Sequence, residues 1–162
     1  MFVLVRHAHA YAKRRWTGPD DERPLSRRGE EQARDLVPAL VQLGATRLLS
    51  SPTLRCRQTL QPASEELWVP VQPISTLAVD AQADELLELL SSAEVRDAAL
   101  CTHGETLRVL SQAWQPLWRE TTRSPPPDVS GTPKGGCWVV ENYGTPEATA
   151  HFLGRPTRLT WR

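Results

Sequence analysis

Two histidines and two arginines stand where short apolar runs or turns end. They are Arg6-His7 after Phe2-Val3-Leu4-Val5, Arg55 just past Ser50-Ser51-Pro52, and His103 in Thr102-His103-Gly104. An arginine fork donates two hydrogen bonds in one plane and keeps its charge, which suits it to phosphate oxygens. Two guanidiniums and an imidazole can contact three non-bridging oxygens and stabilise the charge of a phosphoryl group in transfer. Neighbouring cations disfavour imidazolium, so the remaining imidazole stays neutral and can itself accept the phosphoryl group. We therefore read His7 as the nucleophile and Arg6, Arg55 and His103 as phosphate ligands. Gly104, lacking Cβ, would let backbone approach the bound group.

For these residues to meet, the ends of several strands must lie side by side. Residues 2–5 read as a strand buried on both faces, and residues 11–24 as a long exposed loop. Residues 26–43 have helical periodicity, with Ser26 to cap the start, Gly44 to end the helix and Pro38 to kink it. A strand over Arg47–Ser50 precedes a helix carrying Leu54, Leu60, Ala63 and Leu67, then a short strand within residues 69–74. A helix over residues 84–90, a strand over Ala98–Thr102 and a helix over residues 107–118 follow. Residues 120–136 read as a mobile loop, and residues 138–142 and 149–153 as an antiparallel pair at a sheet edge. The alternation predicts a single α/β domain over residues 1–162. Its central sheet is mostly parallel, with helices on both faces and an antiparallel edge. In such sheets ligands bind outside the carboxyl ends of the strands, where all three motifs fall.

Composition narrows the partners. A chain of 162 residues with zero formal net charge has no global field drawing it to nucleic acid or an anionic membrane. The partner expected is a phosphorylated protein or a small phosphorylated metabolite, with neither nucleic acid nor membrane involved. Cys56, Cys101 and Cys137 are odd in number and widely spaced, which points to a reducing, cytoplasmic setting rather than a disulfide framework. The first apolar run stops at Arg6, too short for a signal peptide, and no later run reaches the roughly 18 residues of a membrane span.

The site residues sit in longer motifs: Leu4-Val5-Arg6-His7-Ala8, Arg23-Pro24-Leu25-Ser26-Arg27-Arg28-Gly29, Ser50-Ser51-Pro52-Thr53-Leu54-Arg55-Cys56-Arg57-Gln58-Thr59 and Thr102-His103-Gly104-Glu105. Together they resemble the histidine phosphatase superfamily, with its phosphoglycerate-mutase-like fold. The length and the lack of a large insertion resemble the SixA-type phosphohistidine phosphatases. Lys13-Arg14-Arg15-Trp16-Thr17-Gly18 with Asp20-Asp21, and Lys134-Gly135 before Trp138, are similar to the phosphatase domain that follows a Nudix domain in some mycobacterial hydrolases. The resemblance implies transient phosphorylation of His7, phosphoryl binding by Arg6, Arg55 and His103, and no metal or organic cofactor.

This chain departs from the family pattern twice. Ala8 replaces the usual glycine, and the glutamate that many relatives place after the third strand as general acid is missing from Thr76-Leu77-Ala78-Val79-Asp80-Ala81. Asp80 and Glu105 are the substitutes available. SixA-type members manage without such a glutamate, so the expected substrate is phosphohistidine or an activated small phosphate ester. The alternatives are a nucleotide or metabolite phosphatase, or a phosphate-binding module without turnover.

Other features admit two readings. His7-Ala8-His9 has metal-ligand spacing, but the barrel hydrolases that carry such a pair need at least about 200 residues. Lys13-Arg14-Arg15-Trp16 is either a solvated face or a substrate loop that holds further phosphates and stacks a ring. His151 reads as structural, and Arg155, Arg158 and Arg162 as surface.

Overall fold

Alternation along the first strand, β1 (Phe2–Arg6), sends its side chains into two different cores. Phe2 and Leu4 pack with Leu100, Leu107, Leu110, Trp114 and Leu86; Val3 and Val5 pack with Leu36, Leu40, Cys56, Leu60 and Ala63. A strand buried on both faces must be apolar throughout, which is why the run is continuous. The computed structural model describes residues 1–157, so Arg158 and Arg162 lie outside the described residues.

After β1 come α1 (Arg27–Gln42), β2 (Arg47–Ser50), α2 (Leu54–Leu67), β3 (Val71–Pro73), α3 (Ala83–Ser91), β4 (Ala98–Thr102), α4 (Gly104–Thr121), β5 (Cys137–Glu141) and β6 (Thr149–Gly154). The sheet order is β3-β2-β4-β1-β5-β6. The first four strands are mutually parallel, while β5 and β6 run antiparallel at one edge. Helices α3 and α4 cover one face, and α1 and α2 the other. This is the expected α/β architecture. No described helix is long and apolar enough to cross a membrane.

Local signals explain most boundaries. The Ser26 side chain accepts from the Gly29 amide at the start of α1, and Gly44 follows its end at φ +69°. Pro38 lies inside α1 without interrupting it. Gly29 is required by packing: a Cβ there would sit 2.0 Å from the His9 carbonyl oxygen, so the first turn of α1 lies directly on the backbone beyond β1.

Three expectations need correction. Helix α4 begins at Gly104, not 107, because extended His103 takes the N-cap position and the first turn is polar, invisible to apolar periodicity. The third strand shrinks to three residues ending at Pro73, on the sheet edge. Residues 120–136 are not simply a mobile loop, since Val129 and Thr132 are fully buried and Val129 joins the core.

Candidate active site

Strands β2, β4 and β1 are neighbours, so Ser50-Ser51, Thr102-His103 and Arg6-His7 emerge side by side. Backbone bonds continue past the strand ends, from the His7 amide to the Thr102 carbonyl and from the Ser51 amide to the Cys101 carbonyl, both at 2.9 Å.

The His7 ring is 6% exposed, and its Nδ1 lies 2.8 Å from the Ala8 carbonyl oxygen. A carbonyl only accepts, so Nδ1 carries the proton and Nε2 keeps its lone pair. The Ala8 amide in turn donates to Thr59 Oγ1 at 3.0 Å, and that hydroxyl donates to the Arg55 carbonyl at 2.7 Å. The segment bearing the nucleophile is thereby tied to α2. Burial pushes the His7 pKa down from 6.5 to about 4; His103 and Arg55 add to the fall, while Cys56 and the Ala8 carbonyl oppose it. The expected neutral imidazole is present, but burial rather than neighbouring cations is its main cause.

His103 is fully buried, with its ring centroid 5.3 Å from that of His7. Its Nδ1 lies 3.4 Å from Arg55 Nη2, which can only donate, so Nε2 carries the proton and donates to Ser51 Oγ at 2.8 Å. Ser51 stands in the motif that carries Arg55 but is not among the expected site residues. Its position at the end of the strand beside β4 was the available signal.

Arg55 is 3% exposed and its Nε has no partner; the Nε of Arg6 is likewise buried and unpartnered. A buried N–H left unpaired costs on the order of 1–3 kcal/mol, which an arriving anion can recover. Arg6 Nη1 donates to the Thr132 carbonyl at 2.8 Å. Its guanidinium lies across Gly104, where a Cβ would come within 2.7 Å of Cζ and Nη2. The expected backbone approach at Gly104 thus has a different tenant: the glycine makes room for Arg6.

Asp20, part of the loop motif, is not among the expected site residues. Its carbonyl accepts from Arg55 Nη1 at 2.6 Å and its carboxylate from Nη2 at 3.1 Å. Partial burial pushes its carboxyl up, but the Arg23 hydrogen bond and the charges of Arg55, Arg23 and Lys13 outweigh it and hold the group below the usual range. No periodicity marks such a residue.

The two substitute acids have different surroundings. Asp80 is exposed; its carbonyl accepts from the Gln82 side chain, and no hydrogen bond among the described residues reaches its carboxylate. Glu105 is exposed on the first turn of α4. Its own amide holds the carboxyl low against the effect of burial, with His103, Arg6 and His7 adding to the fall, so it stays ionised. In the loop, Lys13, Arg14 and Arg15 are exposed, and the Trp16 indole N–H donates to the Pro19 carbonyl at 2.9 Å. His7 and His9 do not share a partner: His9 Nδ1 meets Ser26 Oγ at 2.7 Å. No group of three His, Cys, Asp or Glu side chains placed to hold a metal ion occurs among the described residues.

Comparison with known proteins bears on the family and the fold. Residues 2–78 match the profile of the Histidine phosphatase superfamily (branch 1). An 8-oxo-(d)GTP phosphatase of Mycolicibacterium smegmatis is 31% identical over 159 residues, covering 95% of this chain. The chain spans only 48% of that relative. A SixA structure from Agrobacterium tumefaciens superimposes with a TM-score of 0.70 at 23% identity, covering 94% of this chain and 96% of the other. The protein histidine phosphatase SixA complexed with tungstate gives 0.66 at 20% identity, covering 99% and 98%. At these identities the structural likeness establishes the fold.

Proposed function

Because this chain belongs to the histidine phosphatase superfamily, we propose that it is a metal-independent phosphatase working through a phosphohistidine on His7. One observation carries the reading: a buried imidazole whose Nδ1–H is held by the Ala8 carbonyl, leaving Nε2 free beside Arg55 and His103. Nε2 attacks phosphorus as the bond to the leaving atom breaks, a P–N bond in phosphohistidine and a P–O bond in an ester, and water then displaces His7 to release orthophosphate. Arg6 and Arg55 donate to the non-bridging oxygens as charge spreads over them. When the phosphoryl group enters, His103 donates from Nδ1 instead of accepting there, and the Ser51 hydroxyl reverses its bond to donate to Nε2. Gly104 contributes through the space it gives Arg6. Residues 1–162 act as one phosphatase domain.

Glu105 is held ionised and no hydrogen bond among the described residues engages the Asp80 carboxylate, so the reading rests on leaving groups that need no proton. The substrate class is therefore phosphohistidine or an activated small phosphate ester, on a phosphorylated protein or metabolite rather than nucleic acid. A nucleotide substrate is the second reading, supported by the name of the M. smegmatis relative. Three buried thiols suit a reducing, cytoplasmic setting. Rapid-quench labelling should yield an acid-labile, base-stable phosphoenzyme that is lost in His7→Asn. Label on a serine or carboxylate would overturn the assignment.

A further inference from the structure

The turn before β5 carries a lysine that the four-residue pocket does not use. The Gly135 amide donates to the carbonyls of Arg6 and His7 at 3.1 and 3.2 Å, and the Arg6 amide donates to the Gly136 carbonyl at 3.0 Å. With the Arg6 to Thr132 bond, these contacts pin residues 132–136 onto the end of β1, so that Lys134 stands in a turn bonded to the backbone of Arg6 and His7. Lys134 is half-buried; burial, then the charges of Arg6, Arg23 and Arg55, push its ammonium down, and Glu105 opposes them. Among the described residues no carboxylate lies within ion-pair distance of it. On its other side His9 feels the charges of Lys134, Arg28 and Arg155. A half-buried ammonium crowded by guanidiniums, with no carboxylate within ion-pair distance, favours the arrival of an anion. Arg6, Arg55 and His103 already serve one phosphoryl group, so the anion for Lys134 is a second group on the same substrate.

We propose that Lys134 binds the inner phosphate of an organic diphosphate whose terminal phosphate is transferred to His7. This rests on the phosphohistidine reading above and names its substrate class. Nε2 of His7 forms a bond to the terminal phosphorus as the bridging P–O bond breaks. The electron pair leaves on the bridging oxygen, giving a phosphate monoester. Water then cleaves the N–P bond, one of its protons passing to solvent, and regenerates His7 with orthophosphate. A phosphate monoester has its second pKa near ~6, so it departs without a proton and needs no general acid. That fits a site where Glu105 is held ionised. Lys134 meets the charge as it develops on the departing phosphate.

The test compares kcat/KM for a nucleoside diphosphate, its monophosphate and p-nitrophenyl phosphate in wild type, Lys134→Met and Lys134→Arg. Wild type should prefer the diphosphate. Lys134→Met should lower the ratio of diphosphate to p-nitrophenyl phosphate activity by about tenfold or more, and Lys134→Arg should restore most of it. An unchanged ratio overturns the subsite. Calorimetric binding of inorganic pyrophosphate against phosphate reads the subsite without turnover. The preference for pyrophosphate should collapse in Lys134→Met, and its persistence also overturns the proposal. If the preference collapses as expected but no phosphoenzyme forms, the subsite stands and the His7 reading falls.

Discussion

Asp20 holds Arg55 at two points, through its carbonyl at 2.6 Å and its carboxylate at 3.1 Å, although the two residues are 35 positions apart. The carboxylate thereby occupies a guanidinium that the proposed mechanism gives to phosphoryl oxygen. Two anions cannot share that donor cheaply, and Asp20, 44% exposed, is the one able to leave. Asp20→Asn should therefore tighten phosphate and vanadate inhibition by up to about fivefold, the scale of a partly exposed ion pair. Weaker inhibition would mean that Asp20 orients Arg55 rather than competing for it.

The depressed pKa of His7 sets the acid limb of activity. With its pKa near 4, the imidazole remains an unprotonated nucleophile well below the ordinary 6.5. After correction for substrate ionisation, the limb of kcat/KM belonging to His7 should fall near pH 4. A limb near 6.5 would show the ring to be more hydrated than its burial implies.

The same shift has a sign for stability. Between pH 6.5 and 4 the unfolded chain binds a proton on His7 and the folded chain does not, so this residue removes stability progressively as pH falls through that window. Below 4 both states are protonated and the loss levels off. The total is about 3 kcal/mol. Denaturant melts of wild type and His7→Asn at pH 7 and pH 4 should differ in pH dependence by that order. Parallel curves would refute it.

Two glycines should fail in opposite ways. At Gly104 a methyl would meet the end of the Arg6 side chain, which can swing aside; at Gly29 it would meet the His9 backbone. Gly104→Ala should melt close to wild type yet lose on the order of 10²-fold in kcat by displacing Arg6. Gly29→Ala should lower stability by about 1–3 kcal/mol, the usual cost of forcing extra volume into a packed site. Thermal melts and steady-state rates on both variants distinguish these outcomes.

Leaving-group dependence tests the missing acid. Phosphohistidine peptides and aryl phosphates should be hydrolysed far faster than alkyl monoesters, since a positioned acid supplies roughly 10²–10⁴-fold when the leaving group is poor. Asp80→Asn and Glu105→Gln should leave the aryl rates nearly intact. A flat wild-type profile across leaving-group pKa would reveal an efficient proton donor elsewhere in the site.

Residue types and spacing already determined much of this protein. Unbroken apolar runs at residues 2–5 and 98–101 marked strands buried on both faces, and the motifs at their ends and past Ser50 put Arg6, His7, His103 and Arg55 at the carboxyl ends of neighbouring strands. Such signals are local: period, caps and chain punctuation are written in consecutive residues. Tertiary structure alone decided the partners across the fold. It brought Asp20 onto Arg55, Ser51 onto His103, Thr132 onto Arg6 and Gly135 onto the carbonyls of Arg6 and His7. It also made burial the main cause of the neutral His7 and turned Gly104 into a seat for a guanidinium. Each of these depends on distances between segments far apart in the chain and on water excluded from between them, neither of which has a period along the sequence.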